Sequence, residues 1–274
     1  MKKFISKFAA AAAILICCVY CAGISKTPSK GKTLKDAYKN DFLIGTALNT
    51  TQIEEKDPKA AALILQQFSA VTPENIMKAE IIHPEWDRYN FDLADKLVAY
   101  GNKNKIKVNG HTLIWHSQLP AFARRIKDVD SFKTFFNNHI TTVASRYNGK
   151  IFSWDVVNEA LNEDGTMRKS LFLDKLGDNF VTEAFRLAEK ASPKTELYYN
   201  DYNNEQPKKR EGCITLIKKI QAAGVRIDGV GIQGHWHLGH IPFKEIEESI
   251  ICLFANEKDD VYDDQIQNTG RHSA

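Results

Sequence analysis

The feature that most constrains this chain is a repeated alternation of short, charge-poor runs with longer amphipathic stretches. Runs at 42–48, 69–72, 106–110, 151–157, 196–199 and 227–232 are rich in Val, Ile, Phe and Tyr, as strands buried on both faces should be. Between them, apolar residues return at helical spacing. Pro58 reads as a first-turn proline behind an N-capping Asp57, with Ala60, Leu63, Ile64 and Phe68 on one stripe. Phe132, Phe135, Phe136, Ile140, Val143 and Tyr147 form a second stripe. Phe180, Ala184, Leu187 and Ala188 form a third; Ile214, Ile217 and Ile220, stopped by Gly224, form a fourth. Strands alternating with helices predict parallel βαβ units in an α/β fold. Parallel sheets place their sites at the carboxyl ends of the strands, in barrels and doubly wound sheets alike. No Gly-rich phosphate loop follows any of the runs, which argues against a nucleotide-binding sheet.

The segments at those ends are loaded with hydrogen-bonding groups. They read Gly45-Thr-Ala-Leu-Asn49, Thr72-Pro-Glu-Asn-Ile-Met-Lys78, Gly110-His-Thr-Leu-Ile-Trp-His116, Trp154-Asp-Val-Val-Asn-Glu159, Asn200-Asp-Tyr-Asn203 and Gln233-Gly-His-Trp236. Together they predict a polar cleft with aromatic platforms, a mixture that suits a sugar. Hydroxyl groups need amide, carboxylate and ammonium partners, while the apolar faces of pyranose rings stack on indoles. Paired histidines can also signal a metal, but His111 and His116 lie five apart on a strand-to-loop segment, not at the helical i, i+4 spacing of zinc proteases. No metal and no cofactor is expected.

The strings GHTLIWHSQLP, SWDVVNEA, NDYN and GIQGHWH resemble those of glycoside hydrolase family 10, whose typical activity is retaining endo-1,4-β-xylanase. The resemblance covers residues 33–251 and implies a TIM (β/α)8-type barrel with about six of its eight units in this chain. It implies that Glu159 is the acid/base and that its neighbour Asn158 binds the sugar 2-hydroxyl. A general acid must hold its proton near neutral pH, which takes burial or a nearby negative charge. The same resemblance assigns Glu74, Asn75, Lys78 and Gln118 to the non-reducing-side sugars. It places His111, Trp115 and His116 in the subsites beside the cleaved bond, Asn200 and Tyr202 after the fifth strand with Tyr202 on the leaving-group side, and Gln233 and His235 around the nucleophile carboxylate. Trp86 departs from the family pattern and is expected to cover a helix rather than to form a platform.

The two ends of the sequence carry further expectations. Lys2, Lys3 and Lys7 followed by an apolar run from Phe8 to Tyr20 and by Cys21-Ala22-Gly23 read as a signal peptide, residues 1–23, implying a secreted or periplasmic product. A lipid anchor on Cys17, Cys18 or Cys21 is weakly supported, because a bulky residue precedes each. Without that leader the formal net charge of +3 falls to about zero, which argues against a nucleic-acid partner. Cys213 and Cys252 are the cysteines that remain, so the fold must rest on its core. The expected partners are xylan and xylo-oligosaccharides, met by a monomer with no membrane span.

In the family the nucleophile is a Glu in a Thr-Glu-Leu-Asp string at the end of a seventh strand, and this chain has no such string. Residues 252–274 read as a non-family tail, of the kind a frameshift would produce. Its acids Glu257, Asp259, Asp260, Asp263 and Asp264 read as a solvated stretch rather than as a replacement nucleophile. An open sheet would leave two unpaired edges, so low solubility is expected. The alternative function is a non-catalytic remnant that binds xylo-oligosaccharides; a cellulase-like preference within the same family is not separated by sequence.

Overall fold

A computed structural model describes residues 32–237 and 242–257. The leader reading at 1–23 and residues 258–274 of the tail lie outside them. Six strands form one sheet in sequential order, every neighbouring pair parallel. They are β1 (Gly45–Leu48), β2 (Ala70–Pro73), β3 (Lys107–Trp115), β4 (Ser153–Asn158), β5 (Glu196–Asp201) and β6 (Gly229–Ile232). Each is followed by one principal helix: α1 (Pro58–Gln67), α2 (Asp92–Asn104), α3 (Val129–Arg146), α4 (Phe180–Ala191), α5 (Pro207–Ala222) and α6 (Phe243–Glu257). The predicted alternation is therefore present, in the strand order of a TIM-type barrel.

The local chemistry explains the element ends. Asp57 accepts hydrogen bonds from the Lys59 and Ala60 amides, and Pro58 opens α1 where no amide donor is needed. At the end of α5, Ala223 caps the helix and Gly224 takes a left-handed φ of 65°. The stripes on α3 and α5 are buried as read. Phe132, Phe135, Phe136, Ile140, Val143 and Tyr147 are at most 2% exposed. On α1 the stripe is narrower than predicted: Ile64 is buried, but Leu63 is 53% exposed and does not face the core.

The core sits between sheet and helices, centred on β4, where every residue is buried. The Trp154 indole points outward to Tyr147, the C-cap of α3, ring centroids 6.2 Å apart. Gly110 makes room for it on β3: a Cβ there would collide with the indole. Helix α6 runs past residue 251 to Glu257, and Leu253 within it is buried.

Candidate active site

Register assembles the site. Trp115 of β3 lies beside Asn158 of β4, Asn158 beside Asn200 of β5, and Asn200 beside Gly231 of β6. This one row carries three of the sequence-predicted groups at the carboxyl end of the sheet. Gly231 leaves the space that the Asn200 side-chain amide fills, since a Cβ there would strike it.

Above the row opens a cavity of ≈ 570 Å³, within the usual range for a ligand site. Of the predicted residues, Glu74, Lys78, His111, Trp115, Asn158, Glu159, Asn200, Gln233 and His235 line it. Asn75 and Gln118 stand at its rim, joined by a bond from Gln118 Nε2 to Asn75 Oδ1 at 3.3 Å; Lys78 Nζ donates to the same oxygen at 3.0 Å. The Lys78 ammonium lies 4.7 Å from the centre of the Trp115 ring. Partial burial lowers its pKa, opposed by the charges of Glu159 and Glu74.

Glu159 is the hub. Its carboxylate accepts from Trp115 Nε1 at 2.9 Å, Asn158 Nδ2 at 3.0 Å and Gln233 Nε2 at 3.2 Å. Asn158 Oδ1 in turn accepts from Asn200 Nδ2 at 2.9 Å and Gln233 Nε2 at 3.1 Å. His235 Nε2 lies 2.9 Å from Gln233 Oε1 and so fixes which way that amide points. The backbone at Glu159 has a left-handed φ of 57°, an expensive conformation for a residue with a Cβ and one that is held only where its surroundings dictate it.

Two predicted residues stand apart from the lining. His116 lies behind Glu159, in a small space shared with Arg168 and Ser170; burial and the Arg168 charge lower its pKa. The Tyr202 hydroxyl is turned to Arg168, accepting from Nη2 at 2.8 Å, and the buried Lys209 ammonium sits 3.7 Å from its ring centre. Sequence reasoning also passed over lining residues. Asp155 faces the cavity and accepts from His111 Nδ1 at 2.8 Å and Asn109 Nδ2 at 3.2 Å, which leaves His111 Nε2 for a ligand. An acid inside an otherwise apolar run was the signal. Trp86 is 41% exposed and packs edge-on against Phe122, as a cover would.

The family model for Glycosyl hydrolase family 10 matches residues 33–261. The chain belongs to that family. The match continues ten residues past the 251 boundary suggested by sequence reading. Endo-1,4-beta-xylanase A of Xylanibacter ruminicola is 41% identical over 246 residues, a match covering 86% of this chain and 67% of the relative. A family 10 endoxylanase retrieved from a sugarcane soil metagenome superposes with a TM-score of 0.79 at 39% identity, covering 82% of this chain and 69% of that one. Xylanase 10B from Thermotoga petrophila RKU-1, solved with xylobiose, gives a TM-score of 0.78 at 33% identity over 82% of this chain and 70% of that one. This family 10 chain thus spans about two thirds of each of these proteins.

Proposed function

We propose that this chain carries the acid/base half of a retaining endo-1,4-β-xylanase site, acting on internal bonds of xylan and xylo-oligosaccharides. The observation that carries the reading is the Glu159 carboxylate, which faces a polar cavity while three N–H donors fix its orientation. In the first step Glu159 donates a proton to the glycosidic oxygen as the bond to the anomeric carbon breaks and a second carboxylate bonds to that carbon. In the second it takes a proton from the water that releases the sugar, with net retention. That chemistry requires a second carboxylate about 5–5.5 Å from the first. The described residues contribute Glu74 and Asp155 to the lining besides Glu159, and Asp155 is already tied to His111 and Asn109. No nucleophile is assigned among them.

The reading extends to binding groups, and the same geometry supports it. Lys78, Asn75 and Gln118 offer a fork for sugar hydroxyls at one rim, Asn158 and His111 meet the ring beside the cleaved bond, and Trp115 supplies an aromatic edge. The protein is read as a monomer exported through its leader. Hydrolysis of an aryl xylobioside with wild type and Glu159→Gln, alongside thermal shifts with xylohexaose, tests the proposal. Turnover lost in Glu159→Gln with the thermal shift retained supports it. A thermal shift without any turnover by the wild type would instead favour the non-catalytic binding remnant, and turnover unaffected by Glu159→Gln would remove Glu159 from its role. Comparison with an aryl cellobioside separates xylan from cellulose preference.

A further inference from the structure

We infer that Arg168 is the positioning residue that holds Glu159 in its left-handed backbone and aims its carboxylate into the cavity. Three consecutive carbonyl groups at the turn out of β4 accept from this one residue. Arg168 Nε donates to Glu159 O at 3.0 Å, its backbone amide to Ala160 O at 2.7 Å, and Nη2 to Leu161 O at 2.7 Å. The three amides of the same stretch are taken by consecutive residues of β5. Glu159 N donates to Asn200 O at 2.9 Å, Ala160 N to the Tyr199 hydroxyl at 3.1 Å, and Leu161 N to Asp201 Oδ2 at 3.4 Å. All six backbone polar groups of residues 159–161 are therefore satisfied, one side by a strand and the other by a single side chain with its own amide.

Arg168 reaches this place because the chain doubles back. Asn162 N bonds Thr166 O at 2.8 Å, and Leu161 pairs with Met167, so the hairpin returns Arg168 beneath the residue it serves. The β5 side is anchored as firmly. Asp201 is fully buried, accepts from Tyr199 at 2.5 Å and pairs with the fully buried Lys209 at 3.0 Å. Tyr202 closes the circle by accepting from Arg168 while lying under Lys209. A planar guanidinium suits this task because its N–H groups diverge in a fixed fork, whereas an ammonium is a single point on a flexible stem. Arg168 acts on the carboxylate through the backbone that carries it.

The inference rests on Glu159 being the acid/base, but its test does not require turnover. The Trp115 indole N–H donates to Glu159 Oε2, so its resonance reports where that carboxylate sits. The chain has four tryptophans, and Trp154, fully buried away from the cavity, serves as internal reference. In the full-length 15N-labelled chain, Arg168→Ala should move the Trp115 indole resonance toward its position in Glu159→Ala and leave Trp154 in place. Arg168→Lys should fall between. A Trp115 resonance unmoved in either folded variant overturns the inference. So does collapse of all the indole resonances in both variants, which would make Arg168 a residue of the fold at large. Failure of the functional reading would show separately, as hydrolysis that survives Glu159→Gln.

Discussion

Strands β3, β4 and β5 differ from the marginal strands β1 and β6 in how their side chains are spent. In the centre, side chains of neighbouring strands meet: Trp154 fills the space over Gly110, and His111 and Asn109 of β3 both bond to Asp155 of β4. At the margins the sequence is as apolar but less of it is covered. β1 alternates exposed and half-buried positions before Leu48, Phe42 just ahead of it is 58% exposed, and β6 has one buried residue. Among the described residues β1 and β6 each pair on one side only. The contrast teaches that apolar content sets which segments become strands, whereas stability depends on what packs against them.

If that contrast is right, Trp154→Ala should be the most damaging change, costing about 3–5 kcal/mol in denaturant unfolding because a fully buried indole leaves a void. A loss below about 1 kcal/mol would break the comparison. Gly110→Ala, which drives a methyl into the same indole, should cost about 1–3 kcal/mol, measured the same way.

Acid should come next. His139 of α3, fully buried, lies with Nε2 2.9 Å from Leu113 O and Nδ1 3.2 Å from His83 Nδ1. Burial, aided by His83, pushes its pKa down to about 3 from an ordinary 6.5. Between those values the unfolded chain binds the proton and the folded chain refuses it, so stability falls as pH drops below about 6.5, by at most about 1.4 kcal/mol per pH unit for this one group. Melting curves at a series of pH values should show this slope, and His139→Gln should flatten it. Phe42→Ser, at the margin, should change stability by about 0.5 kcal/mol or less; a larger loss would mean that the β1 edge is better packed than its exposure indicates.

What the sequence revealed divides along the same line. Every strand was legible as a charge-poor run, although only β4 is buried at every position. Their ends were less so. The reading stopped the third strand at Gly110, but β3 continues to Trp115, because His111 and Thr112 interrupt the apolar pattern. His111 is polar for the reason that makes it useful, namely that it faces the cavity. Conversely, Phe42 and Leu43 look like strand yet lie before β1 and are exposed. In the site, most groups that present a side chain to the cavity announced themselves through their motifs, Asp155 being the exception. Arg168 did not, because its targets are main-chain carbonyls, which leave no mark on the residues that bear them. His116 and Tyr202 sit in the right motifs, but their side chains turn behind the carboxylate or toward Arg168 instead of lining the cavity.

The sequential strand order has a consequence for how the site comes into being. Each strand pairs with the one made just before it, so the sheet can grow as the chain emerges, and Trp115 is in place before Glu159 arrives. The Gln233 bond to Glu159, however, spans 74 residues. At roughly 5–20 residues per second of synthesis, the carboxylate waits about 4–15 seconds for its third donor. During that interval the nascent chain holds four of its six strands from the start, and two of the three groups that orient its acid.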